Sequence, residues 1–529
     1  MKNILIAIRS IFKKGRHNVM KIVSLGIGLA VGLVLIAKVY FEQSYDDFYP
    51  DRDRVYQVWA KYQQNGGELK DYPQTSGGIA PTMQQQIPEI ETVTRYTSFG
   101  DWTFTMTDTK MKYSGRCIIA DSCFFDILPR PMLIGNAKEV LSTPMYVLIS
   151  SRIAKNIGGD VIGKNFTVDN SPGRTMTIGG VFEEVPENSH SRYDVIVSMA
   201  SAGRFMWEGS PTNMLGNDRY ISYVKLHKGV NPLALEEQVR TFVNSYFPPE
   251  EQQKVGLSID FSFHKLDNLH KELPQVKRMT WILSLLAFAL IFTAVMNYIL
   301  IVISSIVNRS KEVAVHKCYG ASENNIHGMM FGEALVHIVL SLILALLLIL
   351  AFRGTVEELL ATSLDSLLLS NGSLVLLGIC ILVFFVSGFM PGSLYARIPV
   401  ASAFRNYREN KRIWKKALLL VQFVATGFLV TMLVFVARQY TFMVNDRPGY
   451  AYENLAYCGL AGVDSTSRAK ILDEVMRLPG VIAATTVYQL PFEHASGNNI
   501  LLPGETQELF NIAAVSYTHL RAHETRHDL

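Results

Sequence analysis

The sequence predicts a polytopic α-helical membrane protein with a large α+β extracytoplasmic domain inserted between its first and second membrane spans. Three observations carry this expectation. Only 18% of the 529 residues are charged and 49% are hydrophobic, against roughly 25% charged in an ordinary soluble domain. Five segments run long enough with few or no Asp, Glu, Lys or Arg to reach the roughly 20 residues a bilayer requires. Between the first and second of these, residues 42–277 return to the composition of a soluble domain. Five cysteines are too few for a disulfide-built scaffold. A net charge of +4, from 50 basic and 46 acidic residues, is too balanced for a nucleic-acid binder.

The elements follow in order. Residues 1–21 form a basic leader in which NILIAIRSIFKK alternates apolar and basic residues at helical spacing, suited to lying along the inner membrane surface. The first span, 22–41, contains Lys38, which reaches the interface by snorkelling. Gly26, Gly28 and Gly32 suit helix packing, and no small-residue cleavage pattern precedes FEQSYDDF, so the span is expected to be an uncleaved anchor. Within 42–277, strand-like runs such as RVYQVWAKY, TMTIGGVF and YISYVKL alternate with helix-like APTMQQQIPEIETV and LEEQVRTFVNSYF. This is one large α+β domain or two small ones. Asp46, Asp47, Asp51 and Asp53 at its start read as a solvated face. Cys117 and Cys123 lie where an oxidising compartment would permit a bridge.

The second span, 279–307, contains WILSLLAFALIFTAVMNYILIVISSIV. After a loop at 308–328 come a third span at 329–352, a short outside loop at 353–372, a fourth span at 373–390, a basic loop at 391–416 and a fifth span at 417–437. The leader, with Lys2, Arg9, Lys13, Lys14, Arg16 and Lys21, carries no acid, which places the N-terminus in the cytoplasm. Alternation then puts 308–328, with Arg309, Lys311 and Lys317, inside. The same holds for 391–416, with Arg397, Arg405, Arg408, Lys411, Arg412, Lys415 and Lys416 against Glu409 alone. The loop at 353–372 carries Glu357, Glu358 and Asp365 on the outside. Asn297, Glu333 and His337 are polar exceptions within the membrane. Glu333 and His337 stand one helical turn apart near a cytoplasmic end, where a mutual hydrogen bond or snorkelling competes with an ion pathway. Asn297 suits an interhelical hydrogen bond.

Two motifs point to chemistry and fail. GGDVIGKN approaches a phosphate-binding loop, but Asn165 replaces the required hydroxyl, the segment lies outside the cell, and it leads into strand-like FTV rather than a helix. HETRH, from His523 to His527, fits a zinc-protease pattern, with His519 on the same helical face. However, the tail 515–529, beginning VSYTHLRAHET, resembles the translated frame of a sequencing adapter. It is excluded from functional reasoning, and the natural protein is expected to continue beyond Ala514.

Taken in order, the segments resemble the permease subunits of MacB/FtsX-type ABC transporters. The first anchor with LGIGLAVGLVLIAKVYFEQSYDDFYPDRDRVYQV is similar to the entry segment of such permeases from Bacteroidetes. APTMQQQIPEIETVTR, DSCFFDILPRPMLIGNAKEVL, VIGKNF and GGVFEEVPENSHSRYD follow the order of a MacB-like periplasmic core domain. MNYILIVISSIVNRSKEVAVHKCYGAS parallels the FtsX-type helix and its cytoplasmic loop, and PGSLYARIPVASAFR also fits. His316 and Lys317 stand where the family often has Arg and Lys.

The resemblance implies a double-length permease whose second copy begins with the fifth span and residues 438–514, including DRPGYAYENL and GVIAATTVYQLPF. It implies a non-enzymatic inner-membrane subunit, without cofactor or metal, that works with a separate cytoplasmic ABC ATPase. A second permease copy, a periplasmic adaptor, an outer-membrane channel and membrane lipid are its further partners. The implied coupling loop comprises Arg309, Lys311, Glu312, His316, Lys317, Gly320, Ala321 and Ser322, with Gly320 as a turn or helix stop. Mechanotransmission for export of a lipophilic or peptide-like substrate is the leading expectation, favoured by the large domain. The alternative is an FtsX-like regulator of a periplasmic cell-wall hydrolase.

Overall fold

A computed structural model describes residues 17–64, 66–168, 171–216, 218–369, 372–404, 413–445, 454–460, 463, 465–487, 496–500 and 508–512. The leader up to residue 16, residues Arg405, Arg408, Lys411 and Arg412 of the basic loop, and the tail with HETRH lie outside the described residues. The chain forms two compact units. One comprises Met1–Gly100, Gly115–Gly163 and Thr177–Ala451; the other comprises Asp101–Ser114, Lys164–Met176 and Tyr452–Leu529.

Helix α1 (Asn18–Gln43) opens the first unit and leads directly into a mixed sheet. The strands are β1 (Val55–Gln64), β2 (Lys70–Tyr72), β3 (Ile90–Met106), β4 (Lys112–Ala120), β5 (Met132–Ile134), β6 (Tyr146–Ser150), β7 (Asn165–Val168), β8 (Ser171–Phe182), β9 (Val195–Ser198), β10 (Ile221–Leu226) and β11 (Leu257–Lys265). Their order is β11-β1-β10-β3-β4-β9-β6-β8-β5, with β2 on β1 and β7 on β3 and β8. The pairs β4–β9 and β6–β8 run parallel, whereas β1–β10, β1–β11 and β10–β3 run antiparallel.

One sheet carries two hydrophobic cores. Helix α2 (Ile79–Gln86) and helix α3 (Glu236–Tyr246) bury Met83, Val239, Phe242 and Val243 on Val58, Val224, Ile259 and Phe261. The spacing 239, 242, 243 is the i, i+3, i+4 stripe that seats a helix on a sheet, and Glu236 and Glu237 suit the positive N-terminus of α3. The second core gathers Tyr96, Ile118, Phe124, Leu148, Phe182, Ile196 and Tyr223. Cys117 and Cys123 are free thiols, and Cys123 Sγ donates to the carbonyl of Val93 at 3.0 Å. The GGDVIGKN segment turns at Gly163, whose φ is +77°, and continues into β7. The opening acids do not all form a solvated face: Asp46 is completely buried, because it accepts a hydrogen bond from Ser189 and pairs with His190.

The membrane bundle continues with α4 (Pro274–Ser304), α5 (Ile306–Cys318), α6 (Glu323–Ala351), α7 (Arg353–Leu360), α8 (Leu364–Leu368), α9 (Ser373–Ala396), α10 (Val400–Phe404) and α11 (Ile413–Asn445). Among the described residues, five helices are long and apolar enough to cross a membrane: α1, α4, α6, α9 and the part of α11 from Leu419. Large apolar side chains such as Phe288, Leu347, Leu382 and Phe435 cover their outer faces, as contact with hydrocarbon requires. Helix α9 runs through Pro391 to Ala396, beyond the apolar span expected to end before the proline. Neighbouring helices make a proline tolerable inside such a helix.

Glycines set the approach of α1 to its neighbours. A Cβ at Gly28 would lie 2.2 Å from the Cβ of Ala294 on α4; at Gly26 it would lie 2.9 Å from Leu344 on α6. Without a hydrophobic driving force between helices in lipid, such close packing holds the bundle together.

In the second unit, Phe104, Thr105 and Met106 of β3 pair with Val168, Thr167 and Phe166 of β7. Two further strands of that unit, Ser496–Ile500 and Glu508–Ile512, pair antiparallel.

Two measurements test this packing. Gly28→Leu should destabilise the detergent-solubilised protein by about 1–3 kcal/mol in thermal unfolding through overpacking, whereas Gly378→Leu, at a site with no neighbour within 4 Å, should be near neutral. In the sheet domain, Arg54 and Lys225 hydrogen-bond Asp51 and hold its carboxyl at about 2, below its ordinary 3.8. The stabilisation is therefore complete above the ordinary value and lost as pH falls towards about 2. Asp51→Asn should flatten that part of the acid-unfolding curve; identical curves would show that the pairing contributes nothing.

Candidate functional site

The segment expected as a coupling loop is mostly helix. Helix α4 ends at Ser304, and the chain restarts at Ile306 as α5. Helix α5 closes with paired bonds: Gly320 N–H donates to Lys317 O at 3.0 Å and Ala321 N–H to His316 O at 3.0 Å. This is a Schellman closure, which requires a left-handed residue at its turn. Gly320, with φ +86°, supplies it. Ser322 then caps α6, its side chain accepting from the N–H of Asn325 at 3.4 Å.

Within this element the expected site residues divide into two groups. Arg309 and Lys317 turn inward. Arg309 is 6% exposed, forms an ion pair with Glu333 at 2.8 Å and another with Glu312 at 3.5 Å, and lies over the Tyr395 ring. Lys317 Nζ donates to the carbonyls of Ala396 and Ile398 at 2.6 and 2.9 Å, capping the end of α9. Val313 and Ala314 are buried in the same core as Ala403 of α10. Lys311, His316, Gly320 and Ser322 are exposed, Glu312 and Ala321 half-buried. Beside them Val315 and Tyr319, four residues apart on one helical face, stand open to solvent, Tyr319 at 89%.

The intramembrane polar residues each meet a partner on another helix. Glu333 does not snorkel: it is 5% exposed and lies between two cations, Arg309 and Lys21, the latter at 3.4 Å. Lys21, at the start of α1, is completely buried. His337 shares a hydrogen bond with Tyr298 on α4 at 3.2 Å. Asn297 accepts from Gln422 of α11 at 3.3 Å. Close by, Tyr395 OH donates to Val302 O at 3.1 Å, and Ser341 Oγ donates to Ile22 O at 3.1 Å. Sequence reasoning missed Lys21 as the partner of Glu333, because one more lysine in a basic leader reads only as a topology signal. Its place at the very edge of the first apolar span was the available clue.

A helical membrane bundle with an inserted α+β domain and a short basal helix defines a permease-like class. Two family models match in the same order: MacB-like periplasmic core domain over residues 20–242 and FtsX-like permease C-terminal over residues 284–400. The chain belongs to the MacB/FtsX-type permeases of ABC transporters, a family whose members work with ATPase partners.

Solved structures similar to parts of this chain include three protein domains. One is a domain of a permease protein from Porphyromonas gingivalis, at 33% identity over 41% of this chain and 91% of that one, with a TM-score of 0.38. A second is the periplasmic region of MacB from Actinobacillus actinomycetemcomitans, at 15% identity over 41% and 91%, with a TM-score of 0.29. The third is the extracellular domain of the noncanonic ABC-type transporter YknZ from Gram-positive bacteria, at 12% identity over 39% and 98%, with a TM-score of 0.28. No curated protein matches the chain.

The ion centre is open to direct test. Glu333→Gln leaves two buried cations without their carboxylate and should cost about 3–5 kcal/mol in unfolding. The triple change Lys21→Met, Glu333→Leu and Arg309→Met removes the three buried charges together, leaving only the half-exposed Glu312, and should recover most of that loss. A triple variant less stable than Glu333→Gln would show that the charges contribute more than mutual neutralisation.

Proposed function

We propose that this chain is the permease of an ABC exporter in which α5 and its Gly320 turn receive the stroke of a separate cytoplasmic ATPase and pass it to the extracytoplasmic domain. The observation that carries this reading is the two-sided character of α5. One side is fixed to the bundle by Arg309, Lys317, Val313 and Ala314, while the other presents Val315 and Tyr319 among Lys311 and His316. An exposed aromatic and aliphatic pair rimmed by charge suits a protein partner. The fixed side means that a force on the tip is delivered to α6 and α9 rather than absorbed locally.

In this reading the membrane is the bacterial inner membrane, with the N-terminus and α5 on the cytoplasmic side, where the basic segments gather. ATP hydrolysis belongs to the partner. The moving element outside is the α+β domain, and a lipophilic or peptide-like substrate is exported by that motion. Periplasmic adaptor and outer-membrane channel partners fit such an exporter.

Co-expression with the partner ATPase tests the proposal. Tyr319→Asp and Gly320→Val should each weaken co-purification by about tenfold or more, or abolish stimulation of ATP turnover, without loss of membrane insertion. At Gly320 the cause is a β-branched residue forced to positive φ. Glu358→Lys, exposed on α7 at the opposite end, should leave both properties unchanged. Wild-type binding and stimulation by both α5 variants would make this element a simple connector.

A further inference from the structure

The extracytoplasmic domain is inserted between α1 and α4, so both of its tethers pass the outer end of α1. There, Lys38 and Glu42 pair at 2.7 Å, one helical turn apart and nearly buried. Lys38 Nζ also donates to Thr362 Oγ1 at 2.8 Å, between α7 and α8. The second oxygen of Glu42 meets Nε2 of His270 at 2.5 Å. His270 lies in the connector between β11 and α4, and its ring stacks on Tyr45 with centroids 3.6 Å apart and planes 11° from parallel. One turn beyond Glu42, Asp46 holds His190 of the sheet domain at 2.5 Å.

The two histidines differ in what a proton would change. His190 has both nitrogens engaged, Nδ1 by Asp46 and Nε2 by the hydroxyl of Tyr223 at 2.6 Å. Because that hydroxyl can donate or accept, His190 is satisfied in either protonation state. At His270, by contrast, Glu42 is already neutralised by Lys38. A neutral ring contributes one hydrogen bond, whereas a cationic ring adds a second ion pair to the carboxylate and a cation against the Tyr45 face. Lys271 pairs with Asp47 and Asp267, and Arg52 lies beside both acids. Asp46, Glu187 and Arg192 act on Tyr45, and Glu272 follows in the connector. The charged groups around the joint are therefore Glu42, Asp46, Asp47, Glu187, Asp267 and Glu272 with Lys38, Arg52, Arg192 and Lys271.

We propose that His270 makes the outer joint responsive to protons: charged, it clasps Glu42 by ion pair and hydrogen bond and fixes the connector to α1; neutral, it keeps only the hydrogen bond and loosens that hold. The joint tightens in acid and loosens as pH rises through the range in which histidine loses its charge. This goes beyond the coupling role proposed above and does not depend on it, since the joint lies at the other end of the helices and its test uses no ATPase.

The test is hydrogen exchange of the full chain in lipid nanodiscs, followed over residues 266–273 and expressed as protection factors so that the chemical pH dependence of exchange cancels. Between about pH 5 and about pH 8, wild-type protection should fall. The expected fall is about fivefold to tenfold, the scale of one partly buried charge-assisted contact. His270→Gln should show the low value throughout, and Glu42→Gln should also lose the slope. His190→Gln and the exposed His227→Gln should keep it. A wild-type protection factor that does not change with pH overturns the proposal by itself, whether or not any variant folds. So does a slope that survives in His270→Gln or disappears in His190→Gln.

Discussion

Glu333 sits inside an apolar bundle with a cation on either side, and the basal half of the protein is arranged around keeping it paired. A carboxylate at that depth is tolerated only with partners, and an uncompensated one is costly. The partners come from far apart in the chain: Lys21 opens α1, and Arg309 stands in the first turn of α5. They reach Glu333 only if α1, α5 and α6 converge. Apolar helix faces can slide past one another, but a three-residue ion centre has one geometry and so sets their register. Tyr395 beneath Arg309 and Lys317 on the carbonyls of Ala396 and Ile398 bring α9 into the same assembly.

At the outer end a different set of polar contacts joins the bundle to the sheet domain. The carbonyl of Ser44, just past α1, accepts from Asn188 at 2.7 Å, and Glu187 accepts from the N–H of Ser363 at 2.9 Å. The stretch Glu187–Ser191 thus touches both the exit of α1 and the turn before α8, while Asp46 and His190 tie it to Tyr223 in the core of the domain. In the proposed exporter, a displacement of α5 would reach this joint through long helices with few internal breaks. The buried glycine contacts of α1 with α4 and α6 leave those helices little freedom to move independently.

Most of the architecture was legible because lipid imposes a simple rule: long uncharged runs become helices, and the intervening stretch of ordinary composition becomes a domain. The α+β character followed from period-two runs beside helical ones. The left-handed turn at Gly320 was readable too, since few other residues adopt that backbone. What could not be read was pairing. Glu333 and His337 share one face of α6 and act on each other electrostatically, but Arg309, Lys21 and Tyr298, which also meet them, lie on other helices. Likewise Asp46 looked like one of several surface acids until His190 and Ser189, distant in sequence, closed over it. Lys317 looked available for a partner, yet it caps α9, because a helix end with unpaired carbonyls is an equally good site for a lysine.

The central claim is that the ion centre makes α1 and α5 one mechanical body. Pulsed electron paramagnetic resonance between spin labels at Met20, exposed near the start of α1, and Cys318, exposed near the end of α5, addresses it in the assembly with its ATPase. A single narrow distance distribution, the same in nucleotide-free and ATP-bound states, is the outcome expected if the two helices move together. A distribution that shifts or splits between the states would mean that α5 swings on its own, and that Lys21, Glu333 and Arg309 do not transmit the stroke.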